Sequence, residues 1–405
     1  MQRSIHKITS TFGSCWLVLL VLILTACSGS SSTPASNSNV PTRQSTSPSP
    51  ISTSIATPTT TIKMGSQPCP ATVASASNWD AIIPTQPPST KVESVACGNL
   101  MGVSSLQAMV TVRTSGVEAL LDVYVYNHLT DPHPNKVFAL VGLYKGDAKI
   151  SSYNSLLTAE VDQNSSVNKG KSDADFVQDL SREFKWSDNA ATLVPTAFPG
   201  IFPDITRYQA EGDQQAVNQG NAHWKLDASI VASNFATTLL KWPSDSPATI
   251  VSGGGQNDKN AVVSVKNPRP AGGTIKLTMD RLENNANGGI WIVTNVVSDG
   301  TAITEPDPNK LGQISSPVSV KGKGNAFEAV IGKVQVLDHN YNSIGIADAH
   351  TAPGVEGNGN LPFSTSVSYT STFKNGLQDG LIVLYSYSNA DGSIAGIAMS
   401  KVLLT

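Results

Sequence analysis

Residues 315–329 read SSPVSVKGKGNAFEA. They open a series of short strand-like segments, continued by Val334-Gln335-Val336, Phe363-Ser364-Thr365 and Gly380-Leu381-Ile382-Val383. Asn389-Ala390-Asp391-Gly392-Ser393 supplies a turn, and its Asp391-Gly392 pair suits a hairpin. About seven short strands separated by turn signals point to an antiparallel β-sandwich. Phe327, Val334, Val336, Phe363, Val367, Leu381 and Val383 are expected to fill the space between its sheets. No cysteine lies in 313–405, so this core must hold without a disulfide.

Residues 313–405 resemble the bacterial spore-germination immunoglobulin-like domain, most specifically over 315–329. The resemblance covers under a quarter of the chain and implies a sandwich that spaces, packs or binds. It does not fix an activity, because one fold serves many functions.

Upstream, 304–312 reads as a linker rich in Pro, Asp and Asn. Strands are expected at 248–252, 261–266, 273–280 and 290–297, separated by the Gly253-Gly254-Gly255 and Gly272-Gly273 breaks. Residues 227–241 carry Val231, Phe235 and Leu239 at helical spacing, and Trp242-Pro243 ends that helix. A helix followed by these strands resembles the arrangement of cystatin-like folds. A polar surface helix is expected over 204–219, and a third helix over 173–185. In the third, Ser172 and Asp175 form a capping box and Phe176, Val177, Leu180 and Phe184 share one face. Before these, Ala108/Val110/Val112 and Leu121/Val123/Val125 recur at period two as half-buried strands. The apolar run 137–141 reads as a strand buried on both faces. The fold class is therefore multidomain α+β and all-β: a central α+β region, with antiparallel strands and about three helices, precedes the sandwich. The expected divisions are 67–242, a strand-rich continuation over 243–303, the linker 304–312 and the sandwich 313–405. Residues 100–300 also resemble the middle portions of uncharacterised secreted bacterial lipoproteins, notably around LSREFKW and AFPGIFPDITRY.

At the N-terminus, Arg3 and Lys7 precede an apolar stretch, CWLVLLVLIL, and Leu24-Thr25-Ala26-Cys27 closes it. The stretch is short for a bilayer span and reads as a removable signal, 1–26. Leu24-Thr25-Ala26-Cys27 resembles a bacterial lipobox. The resemblance implies that Cys27 becomes the mature N-terminus, carries lipid and anchors the chain to the outer face of the bacterial cell membrane. Residues 27–66 are mostly Ser, Thr, Pro, Ala and Asn, with nothing to bury, and read as a disordered tether. Cys69 and Cys97 then remain in a compartment where disulfides persist, and their pairing is expected. A Cys-based metal site would need further Cys or His partners at close spacing.

Charged residues are 14% of the chain and the net charge is -3, so no basic surface argues for nucleic acid. Asp338-His339-Asn340-Tyr341-Asn342-Ser343 begins like a calcium loop, but Ser343 and Ala349 stand where the loop needs Gly and Glu. A turn is expected there. His128 and His133 flank Asp131 in a Pro-broken loop and read as solvated. Asp173, Asp175, Asp179 and Glu183 read as the solvated face of the expected 173–185 helix. Trp186, Phe198, Phe202 and Tyr208 read as a local core rather than a ligand platform. No catalytic residue, cofactor or metal ligand is singled out. The leading expectation is a non-enzymatic, membrane-anchored lipoprotein that binds or scaffolds an envelope polymer or envelope protein. The alternatives are an envelope hydrolase or transferase with its site in 100–300, and a factor in spore germination or differentiation.

Overall fold

The computed structural model describes residues 62–85, 88–269, 272–283, 288–352, 354–355 and 357–405. The expected signal, Cys27 and residues 28–61 of the expected tether lie outside the described residues.

Four strands form the first antiparallel sheet in chain order: β1 (Thr90–Gly98), β2 (Gln107–Thr114), β3 (Leu121–Asn127) and β4 (Asn135–Leu143). The period-two residues Val110, Val112, Val123 and Val125 are buried, but β2 is not half-buried as expected: Met109 and Thr111 on its other face are buried too, Met109 in a second core. The 137–141 run is not buried on both faces. It lies in the edge strand β4, where Val137, Phe138 and Leu140 reach the core only in part and Val141 is 62% exposed. A short apolar run does not by itself distinguish an edge strand from a central one. Cys69 and Cys97 form a disulfide that ties the segment before β1 to that strand's end, with Cα atoms 5.2 Å apart.

The second antiparallel sheet is β5 (Asp147–Ile150), β6 (Leu156–Glu160), β7 (Leu180–Ser187) and β8 (Thr192–Thr196). Here the expected 173–185 helix fails. Only Asp173–Asp175 turns helically, as a single 3-10 turn, and Ser172 donates to the Asp175 carboxylate rather than capping the backbone. Leu180 and Phe184 are four apart, a spacing that serves one face of a strand as well as one face of a helix. Ser181, Arg182 and Glu183 between them are also buried. Charges that suggest solvent are here enclosed as pairs.

Two α-helices follow. Before α1 (Arg207–Asn218), Thr206 and Gln209 make a reciprocal capping box. The helix is polar but not confined to the surface: Arg207, Ala210, Gln214 and Val217 form a buried stripe. Asp227 caps α2 (Ala228–Leu239), accepting from the amides of Ser229 and Ile230 at 2.8 and 3.1 Å. Val231 and Phe235 are fully buried, and Leu239 packs at the margin of the same core. Two α-helices therefore stand where about three were expected.

The rest is β-structure: β9 (Ala248–Gly253), β10 (Asn260–Lys266), β11 (Thr274–Asp280), β12 (Ile292–Ser298), β13 (Ala302–Glu305), β14 (Gln313–Ile314), β15 (Val318–Ala326), β16 (Val330–Leu337), β17 (Ser343–His350), β18 (Gly359–Val367), β19 (Gln378–Tyr387) and β20 (Ile394–Leu404). A three-stranded sheet, β13-β15-β18, faces part of a nine-stranded sheet ordered β17-β16-β19-β20-β12-β11-β10-β9, with β14 parallel to β20. Strand pairing of the sandwich thus begins at Ala302, ahead of residues 304–312. β15 alternates buried and exposed along its whole length, as a strand with one covered face must.

β19 is buried on both faces. Ile382 and Leu384 enter the sandwich core with Val334, Val336, Phe363 and Val367. Leu381, Val383 and Tyr385 point the other way, into a core shared with Phe235, Trp291 and Leu277. The placement of Leu381 and Val383 between the two sandwich sheets is therefore corrected. An unbroken apolar run carries no phase, and here both phases are used. Phe327 is also corrected: it is 50% exposed at the turn after β15.

Candidate functional site

Two features concentrate polar chemistry. The first is a seam of buried charge where β7, α1 and the segment 201–205 meet the outer face of β19 and β20. Asp379 and Lys401, each about 2% exposed, pair at 3.0 Å. Arg207 bridges Glu183 at 3.0 Å and Glu283 at 2.7 Å, and lies 4.3 Å from the Tyr153 ring centre. Lys225 pairs with Asp204 at 3.1 Å and also with Asp213. Arg182 pairs with Glu160, and its guanidinium sits 5.1 Å from the centre of Phe373.

His339 joins this seam. The stretch 338–342 is a turn between β16 and β17, closed by Asp338 accepting from the amides of Asn340 and Asn342 at 2.8 Å each. The imidazole is 2% exposed. Nδ1 lies 2.6 Å from Gln378 Oε1 and Nε2 lies 3.1 Å from Asp179 Oδ2. Asp179 Oδ1 accepts from the Asp162 amide and Asn168 Nδ2. Burial opposes the imidazolium, but the Asp179 hydrogen bond and charge outweigh it and raise the His339 pKa. Burial likewise opposes the Asp179 carboxylate, and the His339 hydrogen bond with its other donors lowers its pKa. Burial, against Lys401, pushes Asp379 up to about 6. Burial, against Arg207, pushes Glu283 up to about 7.

Asp179 and Glu183 belong to the buried seam, so the solvated-face reading is corrected for them. Asp173 instead holds Tyr144 and Lys145 nearer the surface. Phe198 and Phe202 are buried in separate cores, and Tyr208 donates to Asp147 at 2.5 Å. Among the described residues no group of three or more His, Cys, Asp or Glu side chains converges as a metal site would. No helix among the described residues is long and apolar enough to cross a membrane.

The second feature is an open cleft of about 850 Å³ at one end of the sandwich. Its floor is Ser298, Thr301, Ser386 and Gly396, and its walls carry Asn325, Phe327, Tyr387 and Asn389. Glycine at 396 keeps the floor open: a Cβ there would sit 3.3 Å from Thr301 Oγ1 and 3.5 Å from Ser386 Cβ. Ser386 is 7% exposed, and its buried hydroxyl has no hydrogen-bond partner. At the rim, Phe327 and Val330 exchange two backbone hydrogen bonds of 2.9 Å around Glu328 and Ala329. Both turn residues have positive φ, 49° and 66°. Asn-Gly suits this hairpin geometry, and L-residues with side chains hold it at a cost of order 1 kcal/mol each. That turn carries Phe327 outward, which is why its apolar character misled the core assignment.

Residues 302–393 match the immunoglobulin-like domain of bacterial spore germination. The match starts at the first residue of β13 and takes in most of the cleft walls. It covers under a quarter of the chain. The chain matches no curated protein. Around the immunoglobulin-like domain, Ser298, Gly396 and the seam partners Asp179 and Lys401 come from outside the matched residues. The sequence singled out neither Ser386 nor Tyr387, and Asn389 only as part of a turn. A serine and a tyrosine at the end of β19 and an asparagine in the turn after it carry no motif until the fold sets them beside Thr301 and Asn325.

Proposed function

We propose that this protein is a lipid-anchored, non-catalytic binding module on the outer face of the bacterial membrane. Cys27 would hold it there, and the cleft at the sandwich end would engage an envelope component. The observation that carries the binding reading is the cleft itself: the exposed aromatic side chains of Phe327 and Tyr387 stand over a small-residue floor flanked by the neutral polar side chains of Asn325, Asn389 and Thr301. Such a mixture of apolar surface and convergent polar groups is what ligand sites are built from. The seam supports the same reading, because its charges are held in pairs: Glu283, Asp204 and Asp213, which also border shallow openings, are engaged by Arg207 and Lys225.

Two experiments test it. Cys27→Ala should release the chain or leave it unprocessed; normal processing with unchanged membrane retention removes the anchor. The full chain in detergent should co-sediment with purified cell-envelope material, and Phe327→Ala or Tyr387→Ala should weaken this at least tenfold. Equal sedimentation of these variants and the wild type removes the cleft from the function.

One observation favours an envelope hydrolase instead. Glu211 and Glu283 line a shallow opening of about 500 Å³, and Glu283 is pushed to about 7. A carboxyl raised towards neutrality beside a second acidic side chain is a hydrolytic arrangement. Loss of a measured envelope-degrading activity in Glu283→Gln would establish this reading. A role in germination is favoured by the matched domain alone, and a deletion strain with normal germination would dismiss it.

A further inference from the structure

We infer that the cleft at the end of the immunoglobulin-like sandwich takes a neutral, polyhydroxylated chain, an uncharged glycan. This rests on the binding reading above and names its ligand class. The lining supplies the two kinds of contact that a sugar ring requires. Phe327 and Tyr387, 50% and 38% exposed, offer aromatic faces to the C–H side of a pyranose. Asn325, Asn389 and Thr301 offer short, neutral donors and acceptors to its hydroxyls. Ser386 lines the floor beneath them, but its hydroxyl is enclosed and does not itself face a ligand.

Charge narrows the class. The described residues lining the cleft include two carboxylates, Asp299 and Glu328, and no Lys, Arg or His. An anionic polymer would meet these carboxylates, of which Asp299 is paired with Lys276 at 3.9 Å, and no cation in the lining itself. Backbone pairing narrows it further. A peptide that binds by strand addition needs an open sheet edge. Three of the strands at the cleft are paired on both sides: β15 with β13 and β18, β16 with β17 and β19, and β19 with β16 and β20. β20 meets β12 at one register position, Val297 with Ala398, beside the floor residues Ser298 and Gly396. On β15, β16 and β19 recognition falls to side chains.

The test is a calorimetric titration of the full chain in detergent with chitohexaose, cellohexaose and maltohexaose. Polygalacturonate serves as the anionic probe and a Gly/Ser/Ala hexapeptide as the peptide probe. At least one neutral hexaose should bind, and Phe327→Ala and Tyr387→Ala should each weaken it tenfold or more. Gly396→Ala, which fills the floor, should weaken it while the thermal transition stays cooperative. The anionic and peptide probes should not compete. No neutral hexaose binding at millimolar concentration overturns the inference. So does binding untouched by both aromatic variants, or preference for the peptide or the polyanion. If envelope sedimentation still depends on Phe327 and Tyr387 in those cases, the binding module stands and only the glycan class falls.

Discussion

His339 Nε2 lies 3.1 Å from Asp179 Oδ2 across 160 residues of sequence. One group sits on a turn of the immunoglobulin-like domain, and the other precedes β7 of the middle region. The contact is buried, and a protonated ring can donate to Asp179 and Gln378 together; Asn340 Nδ2 also lies 3.0 Å from Nε2. Lys401 donating to the Ile205 carbonyl, and Tyr341 donating to the Ile201 carbonyl at 2.7 Å, join the same two regions. Together with the apolar face of β19, these contacts make the middle region the cover for a surface that a free sandwich would expose to water.

His339→Ala should therefore destabilise the whole body, because it leaves a buried carboxylate without its cation. Losing one partner of a buried pair costs roughly 3–5 kcal/mol, and His339→Gln, which keeps a donor, should cost less. Urea unfolding monitored by Trp fluorescence measures both. An alanine variant as stable as the wild type would show that the pair does not hold the regions together.

β19 lends itself to a sharper test, because adjacent residues serve different cores. Leu381→Ala and Ile382→Ala should each cost about 2–5 kcal/mol. Hydrogen exchange should separate them: Leu381→Ala speeds exchange in α2, and Ile382→Ala speeds it in β15 and β18. If Leu381→Ala loosens the sandwich instead, the assigned phase of β19 is wrong.

Much of the fold is legible in the residues, and what is not has a physical cause. Val123 and Val125 announce a half-buried strand by their alternation, whereas Val110 lies in β2, whose intervening Met109 and Thr111 are buried as well. Val231 and Phe235 announce α2 because a four-residue repeat flanked by Asp227 and Pro243 has an evident start and stop. Leu180 and Phe184 mislead because their spacing fits two periodicities, and because Arg182 and Glu183 are buried beside partners, Glu160 and Arg207, that no local pattern reveals. The cleft is the least legible part. Phe327, Ser386 and Gly396 converge only through strand register, which is a long-range property.

Cys69→Ser, or reduction of the Cys69–Cys97 bond, should lower stability by roughly 3–4 kcal/mol, since the bridge closes a loop spanning 28 residues. The loosening should centre on the first sheet, where Cys97 is buried with Trp79 and Val110. Exchange rates in β1 and β2 should rise before those in β15–β20. A uniform rise throughout would mean that the first sheet does not open separately.

Stability should be greatest in mildly acidic solution. Asp379 and Glu283 are pushed by burial to about 6 and about 7, whereas in the unfolded chain such groups titrate near 4. Between these values the folded protein holds protons that the unfolded chain has released, so stability falls as pH rises through 5 to 7. His339 acts in the same direction: its pKa is raised, so its contribution is complete below about 6.5, the unfolded value, and is lost as pH rises through the folded value. Asp179 sets the lower bound. Its pKa is depressed, so its contribution is present above about 4 and is lost as pH falls through the folded value. The melting temperature should therefore be higher at pH 5 than at pH 8, and Asp379→Asn should flatten the slope between them. A melting temperature that climbs steadily from pH 5 to 8 would mean that these buried carboxyls remain ionised in the folded state.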